Sequence, residues 1–172
     1  MKLAGRQEPS IRRVEVERFS LNSSKPFDQV VVALQAAIGH PNIKDFWESA
    51  HNAKTMAELE STVQKSVGSA GLMLFAEFDQ GSVVRKETHS DTPRIVRFLI
   101  GNPLIMKEMA KYVPDAGSYA PVTVLIDERP DGVHLSYDRM ASFLKPYGNA
   151  EALKIAKDLD AKVETLLTSA AA

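Results

Sequence analysis

The stretch Glu128-Arg129-Pro130-Asp131-Gly132 constrains this chain more than any other. Pro130 presets one backbone dihedral and Gly132 takes positive φ without steric cost, so the five residues read as a turn. Tyr119 to Asp127 and Val133 to Asp138 flank it, and both read as strands. Two strands joined this closely pair antiparallel as a hairpin. A hairpin alone is marginal in water and needs more strands or a covering helix. The chain supplies both. It has 172 residues, 44% of them hydrophobic, which is enough for one domain with its own core over residues 1–172.

Upstream, Ile11 to Leu21 reads as a strand of mixed polarity at a sheet edge. Ser23-Ser24-Lys25-Pro26 reads as a helix entry, with serines to cap it. Phe27, Val30, Val31, Leu34 and Ile38 then recur at helical spacing until Gly39-His40-Pro41. A helical insertion follows over about 41–68. Ile43, Phe46, Trp47 and Ala50 share one face of its first helix, and Met56, Leu59, Val63 and Val67 one face of its second. Thr55 and Glu58 fit a capping box, in which each side chain satisfies a free backbone N–H. Leu72 to Phe78 is a dense apolar run that reads as a central strand, and Asp79 to Pro93 as a polar connection turning at Gly81. Arg94 to Ile100 is a further strand, followed by a short helix from Pro103 to about Tyr112, closed by Pro114-Asp115-Ala116-Gly117. Asn149 opens a long terminal helix on Ile155, Leu159, Val163 and Leu166. The first few residues and Thr168 to Ala172 are expected to be loosely held. The fold class is therefore α+β: an antiparallel-rich sheet of about five strands in β-α-β(4)-α order, with helices on one face. The helical insertion follows helix 1 and the short helix follows strand 3.

Composition narrows the function. With 21 basic and 22 acidic residues there is no field to hold a nucleic-acid backbone, so no nucleic-acid partner is expected. No apolar stretch is long enough to span a bilayer, and no apolar signal segment follows Met1, so no membrane partner is expected and the cytoplasm is the expected compartment. Cysteine is absent, which removes disulfides, thiolate metal sites and cysteine nucleophiles.

The strand ending at Gly101-Asn102-Pro103, the strand ending Ile126-Asp127-Glu128, the turn, and Ser136-Tyr137-Asp138 together resemble the bacterial family called domain of unknown function 302, over roughly Leu72 to Leu167. The resemblance implies one strand, one helix, four strands and one helix, often assembled as a homodimer, and an order distantly similar to that of TATA-box-binding proteins. It implies no settled activity. The Gly-Thr step often found after Gly-Asn-Pro is missing here, and Ile43 to Val67 is longer than usual.

The residues that carry chemistry are few. Gly101, Asn102 and Pro103 read either as an anion-binding helix start or as a helix cap with Pro at the first position. Met106 and Met109, with Met73, suit an adaptable pocket wall or a soft haem ligand, though core filling explains them too. His134 shares a strand face with Ser136 and Asp138, but neighbours on one strand face lie about 7 Å apart. His134 or His89 beside a carboxylate would suit acid–base chemistry, and a solvated surface explains both as simply. Asp127, Glu128 and Asp131 cluster at the hairpin tip. The four histidines show no metal-ligand spacing, so no metal is expected. Arg85, Lys86, Arg94 and Arg97 gather near the middle strands, interleaved with acids. No catalytic signature emerges and no cofactor is identified, so whether the chain is an enzyme is left open. The expected role is a homodimeric, non-enzymatic module whose ligand is small and either apolar or anionic. Its site would lie near Gly101, Asn102, Pro103, Met106, His134 and Tyr137. The alternatives are a small enzyme using a His/carboxylate pair and a haem or other cofactor carrier.

Overall fold

The computed structural model describes residues 9–172; the expectation about the first few residues falls almost wholly outside this range. The strands are β1 Arg18–Ser23, β2 Met73–Asp79, β3 Ile95–Gly101, β4 Val122–Arg129 and β5 Gly132–Asp138. The helices are α1 Phe27–Ala37, α2 Ile43–Asn52, α3 Met56–Ser66, α4 Gly81–Thr88, α5 Pro103–Ala110, α6 Met140–Leu144 and α7 Ala150–Ala171. The sheet is antiparallel throughout, in the order β1-β5-β4-β3-β2. The α+β class, the hairpin β4–β5 and the five strands are as the sequence predicts.

Alternation decides which face is buried. Val96, Phe98 and Ile100 of β3, Val122, Val124 and Ile126 of β4, and Val133, Leu135 and Tyr137 of β5 point one way and are buried. Phe27, Val30 and Leu34 of α1 and Ala156, Leu159, Val163 and Leu167 of α7 cover them. On the other face Arg97, Leu99, Thr123, Leu125, Ser136 and Asp138 are only half-buried.

A second, smaller core of Phe46, Val63 and Met73 lies under the α2–α3 hairpin. Two glycines anchor this insertion. The Gly39 and Gly68 amides both donate to the Leu72 carbonyl at 2.9 Å. A Cβ on Gly39 would sit 1.8 Å from the Ser66 carbonyl oxygen, and one on Gly68 2.4 Å from the Ile38 carbonyl carbon. The two ends of the insertion therefore pass backbone against backbone. The capping box at α3 forms with a shift: Thr55 accepts from the Glu58 amide at 3.2 Å, and Glu58 accepts from the Lys54 amide at 2.7 Å.

Several expectations are corrected. β2 lies at the sheet edge and not at its centre; of the apolar run, Met73 is buried under the α2–α3 hairpin, Leu72 in the main core, and Phe78 is exposed. It also contains a bulge between Leu74 and Ala76, which a run of apolar residues conceals. Gly81 starts helix α4 instead of a turn; Asp79 accepts from the Ser82 amide at 2.9 Å and so caps it. β1 begins at Arg18, well after Ile11, because only from there does it pair with β5. The Ser23 hydroxyl does not cap α1: it donates to the Ala171 carbonyl at 2.7 Å, and its oxygen accepts from the Lys25 amide. That bond helps hold the C-terminus, where α7 continues to Ala171 with Leu167 and Ala170 buried. β4 begins at Val122 rather than Tyr119, since Pro121 has no N–H for the ladder.

Candidate functional site

The bulge in β2 aims Phe75 out of the regular alternation and toward Trp47 of α2, with ring centroids 6.2 Å apart. Trp47 packs edge-on against Phe46 at 5.2 Å and stacks on His51 at 5.8 Å. It remains 38% exposed, so it stands at the mouth of a cleft rather than inside a core. The far wall comes from the end of β3 and the start of α5. Asn102 caps α5: its Oδ1 accepts from the Leu104 amide at 2.9 Å, and its Nδ2 donates to the Gly71 carbonyl at 3.0 Å. Pro103 occupies the first helical turn, where a missing N–H costs nothing. Gly101 has no side chain to fill the floor; a Cβ there would meet Phe75 and Pro121 at an ordinary 3.5 Å.

The resulting cleft holds about 110 Å³ and is lined by Trp47, Phe75, Gly101, Asn102, Pro103, Met106, Met109, Leu159 and the segment Ala120–Val122. No charged residue borders it. Its polar side-chain groups are the Asn102 amide, whose Oδ1 and Nδ2 each already bond within the fold, and the indole N–H of Trp47. The walls therefore offer mainly dispersion contacts. The two methionines are flexible and polarisable, which lets the space adapt in shape. Engineered apolar cavities of about 150 Å³ take up benzene, so this space matches a molecule of about one aromatic ring.

Gly101, Asn102, Pro103 and Met106, singled out from the sequence, thus meet in one place. His134 and Tyr137 do not join them. His134 Nε2 lies 2.8 Å from Asp131 Oδ1 at the hairpin tip, away from the cleft. Its hydrogen bond holds Asp131 below the usual carboxylate range. A His/carboxylate pair therefore exists, with Asp131 as the partner. His89 is exposed at the end of α4 with φ of 52°. Met73 belongs to the small core under the hairpin.

Tyr137 is buried, and its hydroxyl donates to Asp160 Oδ1 at 2.6 Å. The Asp160 carboxylate also accepts from the Met140 and Ala141 amides at 2.7 and 3.1 Å. It is the N-terminal cap of α6, supplied from α7. Burial raises the Asp160 carboxyl above its ordinary pKa, against the pull of these bonds. Burial, with Asp160 next to it, also raises the Tyr137 phenol. Both residues bond inward within the fold and lie away from the Trp47 cleft.

Reading the sequence alone missed Trp47, Phe75, Pro121 and Leu159. Trp47 shares a helix face with Phe46 in the sequence, and only the fold separates the two, burying Phe46 and leaving Trp47 partly exposed. Phe75 enters the cleft only through the bulge. Among the described residues no group of three or more His, Cys, Asp or Glu side chains is placed to hold a metal ion, and no helix is long and apolar enough to cross a membrane.

Comparison with known proteins places this arrangement. No curated protein matches the sequence significantly. The crystal structure of an uncharacterised conserved DUF302 protein from Bacillus stearothermophilus is similar, with a TM-score of 0.61 at 10% identity, covering 88% of this chain and 96% of that one. At that identity the likeness concerns the fold. The model of the domain of unknown function DUF302 matches residues 50–170, a span containing β2 to β5, Gly101-Asn102-Pro103 and nearly all of α7, and the chain therefore belongs to the DUF302 family.

Proposed function

We propose that this chain is a non-enzymatic, homodimeric module that binds a small apolar molecule in the cleft under Trp47. The observation that carries the reading is the lining: aromatic, thioether and aliphatic walls with no charge and few polar groups, the Asn102 amide and the Trp47 indole N–H. Ligand sites are mostly apolar, with polar groups only where orientation must be set. Here Asn102 is spent on capping α5, so an apolar ligand suits the cleft better than an anion. The cleft is much too small for a porphyrin, which favours this reading over a haem carrier. The enzyme reading rests on His134 and Asp131, which lie together but outside the cleft. Dimer formation is supported by the outer strand β1, which has a ladder partner on one side among the described residues.

Trp47 is the sole tryptophan of the chain, so its fluorescence reports directly on the mouth of the cleft. Titration with toluene is expected to change Trp47 emission saturably. Gly101→Leu, which fills the floor, is expected to abolish that change while leaving the thermal midpoint close to wild type. A linear, non-saturating response in the wild-type protein would reject the reading.

A further inference from the structure

The sheet face that α1 and α7 leave uncovered contains an arginine with unused donors. Arg18, Arg85, Arg94, Arg129 and Arg139 each reach a carboxylate. Arg97 forms no such ion pair among the described residues. Its guanidinium makes one hydrogen bond, from Nη2 to the Thr123 hydroxyl at 3.1 Å. Its Nε is buried without a partner. Burying a charged donor without an acceptor is costly, so such a group calls for a partner, whether water, ion or ligand.

The surroundings define what that would be. Arg97 and Thr123 border a cleft of about 320 Å³, with Leu99, Ser118, Tyr119, Met140, Phe143 and Asp138 around it. Tyr119 and Phe143 stack with centroids 4.7 Å apart and planes 11° from parallel. The Tyr119 hydroxyl is 3.1 Å from that of Tyr147. Asp138 is the nearby carboxylate, and Arg18 engages it through two bonds of 2.6 and 2.9 Å. One cation is thus left over, beside a hydroxyl and an apolar wall. Because Thr123 Oγ1 accepts from Arg97, its own proton is free to be donated.

We propose that this cleft binds a small aromatic carboxylate, held by the Arg97 guanidinium and the Thr123 hydroxyl, with its ring against Leu99, Tyr119 and Phe143. A monoanion matches the single uncompensated charge; a dianionic phosphate would face Asp138 and gain nothing from the apolar wall. The site is independent of the Trp47 cleft and lies on the other side of the Ala120–Val122 segment, which borders both.

Benzoate is the probe, followed by NMR on the intact chain. It is expected to shift the Arg97 Nε–H signal and the amides of Leu99, Thr123 and Phe143 saturably, leaving Trp47 emission unchanged. Benzamide, its neutral counterpart, and inorganic phosphate are each expected to bind at least about tenfold more weakly, the range for losing a charged hydrogen bond. Arg97→Gln and Thr123→Val should weaken benzoate with unchanged thermal midpoints, Arg97→Gln by about tenfold or more. Equal binding of benzamide, or of phosphate, overturns the proposal in the wild-type protein, whatever the variants do. So does benzoate binding that survives Arg97→Gln, or shifts confined to residues outside this cleft.

Discussion

Tyr137 and Asp160 form the most consequential polar contact in the core. One carboxylate accepts a phenol and two backbone amides, and so ties β5, the start of α6 and α7 together. Asp160→Ala takes the acceptor from the Tyr137 hydroxyl and the Ala141 amide and leaves the Met140 amide only its 3.2 Å bond to the Tyr137 oxygen, and thermal denaturation is expected to register a loss of about 3 kcal/mol. Tyr137→Phe removes the bond to Asp160 and the longer one from the Met140 amide, which keeps Asp160 as acceptor, and should cost about 1 kcal/mol. The pH dependence has a definite sign. The folded Asp160 carboxyl holds its proton to higher pH than the unfolded one does. Its contribution therefore favours folding below the ordinary aspartate range, and is lost as pH rises through the folded value. Carboxyl-carbon NMR should show Asp160 titrating above the exposed aspartates; a midpoint at or below theirs would contradict the dominance of burial. None of this was legible in the sequence. Tyr137 looked like a ligand contact because alternation placed it correctly on the inner face, but alternation cannot reveal a partner 23 residues away.

Among the elements, those with strong periodicity were legible and those defined by tertiary contacts were not. The β4–β5 hairpin and α7 follow from turn chemistry and from a stripe of apolar residues. The edge position of β2 does not, because an apolar run looks the same whether strands or helices bury it. The insertion α2–α3 was visible as two amphipathic helices, yet its fixing points were not. Gly39 and Gly68 serve there as points of close backbone approach, not as helix ends alone. Gly39→Ala and Gly68→Ala are each expected to destabilise by about 2–3 kcal/mol, since backbone must move to admit a methyl group. Chemical denaturation of the two variants measures this, and a change within about 0.5 kcal/mol would refute the contact, that being the usual range for a surface substitution. Arg94 links elements in a different way. Its guanidinium reaches Glu128 on β4 and Asp28 on α1, both at 2.9 Å, and lies 4.6 Å from the centre of the Phe27 ring. The hydrogen bond from Arg94 holds Glu128 below its ordinary pKa. This stability is present above the usual glutamate range and is lost as pH falls through the lowered value. These groups are partly exposed, so Arg94→Ala should cost only about 1 kcal/mol near neutral pH, and less in acid.

For the molecule as a whole, the layout sorts its surfaces by role. One sheet face is sealed by α1 and α7, the other is half-exposed, and the Trp47 cleft lies where the inserted hairpin meets the end of β3 and α5. Light scattering at micromolar concentration is expected to give the mass of a dimer; a monomer alone would remove the dimer from the proposed function. The candidate site was partly legible. Gly101, Asn102, Pro103 and Met106 stood out because a strand stops and a capped helix starts within a few residues. Trp47 and Phe75 did not, because they reach the site from a separate hairpin and a bulge. The central claim is that these separately coded walls enclose a ligand site. Methyl NMR of methionine-labelled protein during a toluene titration tests it most directly, since the chain has only six methionines. The account predicts saturable shifts of Met106 and Met109, with Met73 and Met140 little changed. Shifts spread evenly over all resolved methionine signals, or none at saturating toluene, would contradict it.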